Sequence, residues 1–299
     1  MPILPVIRQV FEGFRRVQVE NRCEDGGSSV DEIAGEIVHA AEEIGDVLCI
    51  VNLTAQARSL CEAVSERTQI SERDIHVVHL STKMCPAHRK AVLRTVREEL
   101  DARRKYPEQR LICISTQLIE AGVDVSFPVV YRALAGFSSI AQAAGRCNRH
   151  GEMERGIVRL FSFANENISR LVDIQQGKKI ALDMLYHAEA DTVLSPHTME
   201  LYFRKFYKGY TERDMRFPMK NTNTIFDLLS RNDAGFQRAE ENGDDPNLWF
   251  SHAFRDAGYA FEVIDSHTES VLVPYAAGKS MILAFNDRYF DRKKIGEQM

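Results

Sequence analysis

None of the six cysteines, Cys23, Cys49, Cys61, Cys85, Cys113 and Cys147, stands in a C-x-x-C pair. The commonest spacing of zinc and dithiol sites is therefore absent. Four of them sit in or beside apolar or helical runs, where a free thiol behaves as a small hydrophobe. Reduced core residues of a cytoplasmic protein are expected. No apolar run approaches the length of a bilayer span and no secretory signal is read, so no membrane partner is expected. Positive charge is not in excess either: the formal net charge is −5. That excludes a cation-coated chain but leaves room for a local basic groove. There is no internal repeat and no low-complexity tract.

A phosphate loop is also lacking. Gly278-Lys279-Ser280 resembles the end of one, but G-x-x-x-x-G-K-[ST] requires glycine at position 273, where Val273 stands. Without that glycine the amides cannot wrap a phosphate. Asp31-Glu32-Ile33-Ala34 resembles a magnesium-binding D-E-x-x element, yet it follows Gly26-Gly27-Ser28-Ser29 rather than an apolar strand. Ser29 with Glu32 reads instead as a capping box, with both acids favoured by the helix dipole. No His-Asp dipeptide of the two-metal nuclease kind occurs. His88 and His150 have no second ligand at a helical offset, so no metal site is expected in this chain.

What is present is an ordinary globular composition over 299 residues, 44% hydrophobic and 27% charged. Apolar runs of strand length recur at 47–51, 75–80, 111–114, 128–131 and 156–163. Helical stretches separate them at 54–66, 86–100 and 138–146. Residues 16–20 alternate as a half-buried strand. Apolar strands alternating with helices predict a doubly wound parallel α/β sheet, with its working edge at the strands' carboxyl ends. That domain is expected over 1–165. A mainly helical region is expected over 166–230 and a smaller α+β unit over 231–299, with two strands across 259–275 and a last helix from about 284.

The informative stretch is 111–152. Gln142-Ala143-Ala144-Gly145-Arg146-Cys147-Asn148-Arg149 reads Q-x-x-G-R-x-x-R. Arg146 and Arg149 are expected on one face of a helix end, where two guanidiniums suit the outer oxygens of a triphosphate. Gly145 would permit close approach, and Gln142 would order water or a phosphate oxygen. Upstream, Ser115-Thr116-Gln117 closes a strand and Gly122-Val123-Asp124 follows. Asp124 is placed to orient an arginine or a ribose hydroxyl. Asn52-Leu53-Thr54 closes a strand and opens a helix, a setting that suits backbone phosphates. In this order the three segments resemble the fourth, fifth and sixth motifs of superfamily 2 helicases. The resemblance implies a RecA-like second lobe.

The wording narrows further. Glu120-Ala121-Gly122-Val123-Asp124, the ending Arg146-Cys147-Asn148-Arg149-His150-Gly151-Glu152, and His79-Leu80-Ser81-Thr82 through His88-Arg89 resemble the CRISPR-associated type I helicase–nuclease. Phe254-Arg255, 261–265 and 271–275 resemble that family's C-terminal accessory domain. The resemblance implies a motor that translocates on single-stranded DNA with ATP and Mg2+, both held mainly by a first RecA-like lobe. It also implies an HD nuclease domain and recruitment by a CRISPR RNA-guided surveillance complex. On that reading Arg146, Arg149 and Gln142 are catalytic. Gly122, Asp124 and Gly145 lie on the nucleotide side, and Asn52, Thr54, Ser81, Thr82, Ser115, Thr116 and Gln117 on the DNA side. The first lobe and the nuclease domain are not in these residues, so the chain is expected not to be competent alone; whether it is an excised piece, an internal-start product or a split subunit stays open.

Other readings stay open. One is a non-catalytic module docking DNA, the guide complex or a phage inhibitor protein; another is part of a superfamily 2 RNA helicase. Residues 83–110 hold nine Lys or Arg against four acids, either a solvated helix face or part of a strand-tracking groove. Residues 202–216 interleave aromatics with cations, either core at helical spacing or base-stacking positions.

Overall fold

The computed structural model describes residues 16–23, 26–103, 106, 108–120, 122–187, 191–208, 224–230, 232–244, 253–261 and 269–286. The chain runs β1 (Val17–Asn21), α1 (Val30–Glu43), β2 (Val47–Val51), α2 (Thr54–Thr68), β3 (Ile75–Leu80), α3 (Pro86–Ala102), β4 (Arg110–Thr116), β5 (Val129–Ala133), α4 (Phe137–Ala144) and β6 (Gly156–Phe161). The sheet order is β1-β6-β5-β2-β4-β3, and every pairing is parallel.

Parallel neighbours require crossovers, and the crossing helices cover both faces, so central strands are buried on both faces and mostly apolar. All five residues of β2 are buried, as are all five of β5. Successive side chains point to opposite faces. Leu48, Ile50, Leu111 and Cys113 therefore pack with Phe137 and Ile140 of α4. Val47, Cys49, Val51, Ile112 and Ile114 pack on the other face with Ile33, Ile37 and Leu60 of α1 and α2. The cysteines are free, and burial pushes the Cys113 and Cys147 thiols up to about 12. Ser29 and Glu32 close both halves of the capping box on α1.

Two helices follow the sheet, α5 (Val172–Leu185) and α6 (Pro196–Lys208). Ala181, Leu185 and Tyr202 belong to the sheet's first core cluster. The sequence places divisions after residues 165 and 230; by packing, one compact unit comprises 1–206 with 273–299, and the other 207–272. The second unit contains α7 (Ile225–Leu229), α8 (Asp233–Asn242) and α9 (Phe254–Ala260). The two strands expected across 259–275 do not form among the described residues. Residue 260 ends α9, and 269–275 have no ladder partner; 262–268 lie outside the described residues. Gly278-Lys279-Ser280 lies in the first turn of α10 (Ala277–Asn286), which begins before the expected 284. Among the described residues no helix is long and apolar enough to cross a membrane.

Candidate functional site

The helix expected to reach residue 146 ends at Ala144. The chain is drawn off the helical path because Cys147 pairs with Phe127 as an isolated parallel bridge. Phe127 donates to the Arg146 carbonyl at 3.0 Å and Asn148 to the Phe127 carbonyl at 2.9 Å. Asn148 then takes a left-handed φ of 44°, which asparagine tolerates better than most residues. Arg146 and Arg149 thus leave a turn and do not share a helical face.

Their surroundings differ. Arg146 is 7% exposed. Its Nε donates to the Ile119 carbonyl at 3.0 Å, Nη2 to that of Glu120 at 2.7 Å and Nη1 to that of Gly145 at 3.2 Å. Burial, then the neighbouring Arg149, lowers its pKa. Arg149 is exposed, and its Nε lies 2.9 Å from Asp124 Oδ1. Its terminal nitrogens have no partner among the described residues. Gly122 has φ +72°, in open space. A Cβ on Gly145 would meet only its own turn, 3.3 Å from the Gln142 carbonyl, so no close approach to a facing surface requires that glycine. Gln142 is exposed on α4 and makes no side-chain bond among the described residues.

The expected single working edge divides in two. Asp124 borders a cavity of about 1200 Å³ together with Gly45, Asp46, Arg110 and Pro128. Those four precede or open β2, β4 and β5, so this is the amino edge of the sheet. Thr54 and Ser81 line another cavity, of about 520 Å³, at the carboxyl ends of β2 and β3. Thr82 is exposed beside it, and Gln117 is half-buried at the end of β4.

Besides Ser81, three DNA-side candidates are buried, beneath the carboxyl edge. Ser115 is 0% exposed and its hydroxyl donates to the Thr116 carbonyl at 2.8 Å. Thr116 is buried and its hydroxyl has no partner among the described residues. The Asn52 amide donates to the Leu134 carbonyl at 3.1 Å and to Glu166 at 2.9 Å, and its oxygen accepts from Arg132 at 2.8 Å. As placed, the Asn52 and Ser115 side chains support the edge from beneath.

Asn52 belongs to a charged chain that sequence reasoning missed. Arg132, fully buried in β5, has Nε 2.7 Å from Glu120 Oε1, off the hydrogen-bond axis, so the attraction is chiefly Coulombic. Glu166 accepts from Lys178 at 2.6 Å. Burial raises the Glu120 pKa and lowers that of Arg132, each partly offset by the other charge. The one visible signal was a cation inside Val129-Val130-Tyr131-Arg132-Ala133: a buried charge demands a partner. Glu120 joins this chain by its carboxylate and holds Arg146 by its carbonyl. Among the described residues no group of three His, Cys, Asp or Glu could hold a metal.

The family model for the C-terminal part of the CRISPR-associated nuclease/helicase Cas3 matches residues 43–152. Over these residues the chain is similar to the C-terminal part of a Cas3-type helicase. The CRISPR-associated nuclease/helicase Cas3 of Haloferax volcanii is 34% identical over 130 residues, 43% of this chain and 13% of that protein. The crystal structure of T. fusca Cas3-ATP aligns with a TM-score of 0.52 and 16% identity, over 85% of this chain and 30% of that one. T. fusca Cas3-AMPPNP gives 0.51 and 17%, over 83% and 29%. At such identity the T. fusca structures speak for the fold alone. The chain spans under a third of these Cas3 proteins. The match encloses both arginines, Asp124, Asn52 and the buried Glu120–Arg132 pair of the Cas3-like lobe.

Proposed function

We propose that this chain supplies the second lobe of an ATP-driven motor on single-stranded DNA, working with a first RecA-like lobe that holds ATP and Mg2+. The carrying observation is the exposed Arg149, held at Nε by Asp124, its terminal nitrogens making no hydrogen bond among the described residues. Such a group can meet the outer oxygens of a nucleotide presented across a cleft and stabilise charge on the departing phosphate. Arg146 acts differently from its sequence expectation. It ties the 119–120 turn to the 146–149 turn, so Arg149 and Asp124 keep their register. The carboxyl-edge cavity at Thr54 and Ser81 supports a strand-binding role on a different side of the sheet from Arg149. An HD nuclease domain and a CRISPR RNA-guided surveillance complex complete the reading, on the Cas3 likeness. The test joins the chain to a phosphate-loop-bearing first lobe and measures DNA-stimulated ATP hydrolysis. Stimulated turnover supports the motor. A second reading, strand binding without turnover, draws on the same cavity, and strand affinity with no hydrolysis in the joined protein would favour it.

A further inference from the structure

The carboxyl-edge cavity contains more than Thr54. Ser81, 3% exposed, lines it, and its hydroxyl has no partner among the described residues. Lys83 lines it without an ion pair among those residues, beside Arg58. One wall comes from residues 273–275, remote in sequence and part of the same compact unit. There Tyr275 stacks on His88, with ring centroids 4.6 Å apart and planes 19° from parallel. The α2 amino terminus at this cavity has no side-chain cap and no acid in its first turn.

Cations and an unpaired hydroxyl suit a phosphodiester; an aromatic stack suits a base. We infer that this cavity takes one nucleotide of a single strand, its base continuing the His88–Tyr275 stack and its phosphate facing Lys83, Arg58 and Ser81. The inference rests on the strand-binding reading above and adds the base platform, which comes from outside the matched residues 43–152. A stacked platform is indifferent to base identity, because every base has a π-face. It therefore suits a protein that moves along a strand without reading it.

The test uses the whole 299-residue chain, a labelled oligothymidylate, the same strand made abasic, and free AMP as competitor, read by fluorescence anisotropy. Tyr275→Ala is expected to weaken oligothymidylate binding roughly ten-fold, and Tyr275→Phe to stay near wild type. On the abasic strand the two variants should bind alike. Lys83→Ala is expected to weaken both strands and lower the salt slope by about 0.7. Unchanged or tighter binding by Tyr275→Ala overturns the platform while leaving strand binding intact. Competition by AMP as strong as by the strand overturns it in favour of a mononucleotide site. Absence of any strand binding by the wild-type chain rejects the strand-binding reading, and the platform with it.

Discussion

Arg146 gives three nitrogens to backbone carbonyls, whereas Arg149 meets one exposed carboxylate. Truncating Arg146 strands the Ile119 and Glu120 carbonyls, which have no other donor among the described residues, a cost on the order of 2–3 kcal/mol. Truncating Arg149 removes a surface pair worth roughly 0–1 kcal/mol. Urea unfolding of Arg146→Ala and Arg149→Ala should therefore separate them: a clear loss of midpoint for the first, little or none for the second. Equal losses would contradict the division of labour. Arg132→Ala should be harsher, about 3–5 kcal/mol, because it leaves Glu120 and Asn52 buried without their partner. The spacing of 146 and 149 was legible in the sequence, and so was their company with Asp124. Their difference was not, because it arises from the Phe127–Cys147 bridge, a pairing across twenty residues that no local pattern announces. The buried setting of Ser115 and Asn52 was not legible for a related reason. A polar residue at a strand's end looks the same whether it faces solvent or a buried guanidinium.

Among the elements, the strands and crossing helices of the lobe were legible because each carries its own period or apolar run. The helices after the sheet were legible only as a helical region over 166–230, because α5 and α6 take their place from packing on the sheet. Tyr202 shows this. Its helical spacing with Phe206 left core and stacking both open; it is 3% exposed, 5.2 Å from the Phe137 ring. A Cβ on Gly177 would come within 2.8 Å of the Tyr202 hydroxyl. Gly177→Ala should cost about 1–3 kcal/mol through overpacking, measurable by thermal unfolding. At the sheet's edge, β1 is tied by Glu20 to Arg159 of β6 at 3.0 Å. Burial alone would raise the Glu20 pKa, but Arg159 and Arg22 outweigh it and hold it below the ordinary 4.5. The unfolded chain therefore binds more protons in that range, and stability rises with pH across it. The contribution is complete above the ordinary value and lost as pH falls through the lowered one. Glu20→Gln should flatten that part of the acid limb; an unchanged slope would place the pH dependence elsewhere.

For the molecule as a whole, the two cavities lie at opposite edges of one sheet, at Asp124 and at Thr54. The 117–120 turn joins their surroundings: its carbonyls hold Arg146, and the Glu120 carboxylate meets Arg132, which reaches Asn52 beside Thr54. That layout fits a lobe with one face toward a nucleotide and another toward a strand. The most direct measurement is DNA-stimulated ATP hydrolysis by this chain joined to a phosphate-loop-bearing first lobe, with Arg149→Ala beside wild type. The account predicts stimulated turnover that falls at least a hundred-fold, on the order of an arginine finger's contribution, while the unfolding midpoint stays put. Full turnover in Arg149→Ala would contradict it.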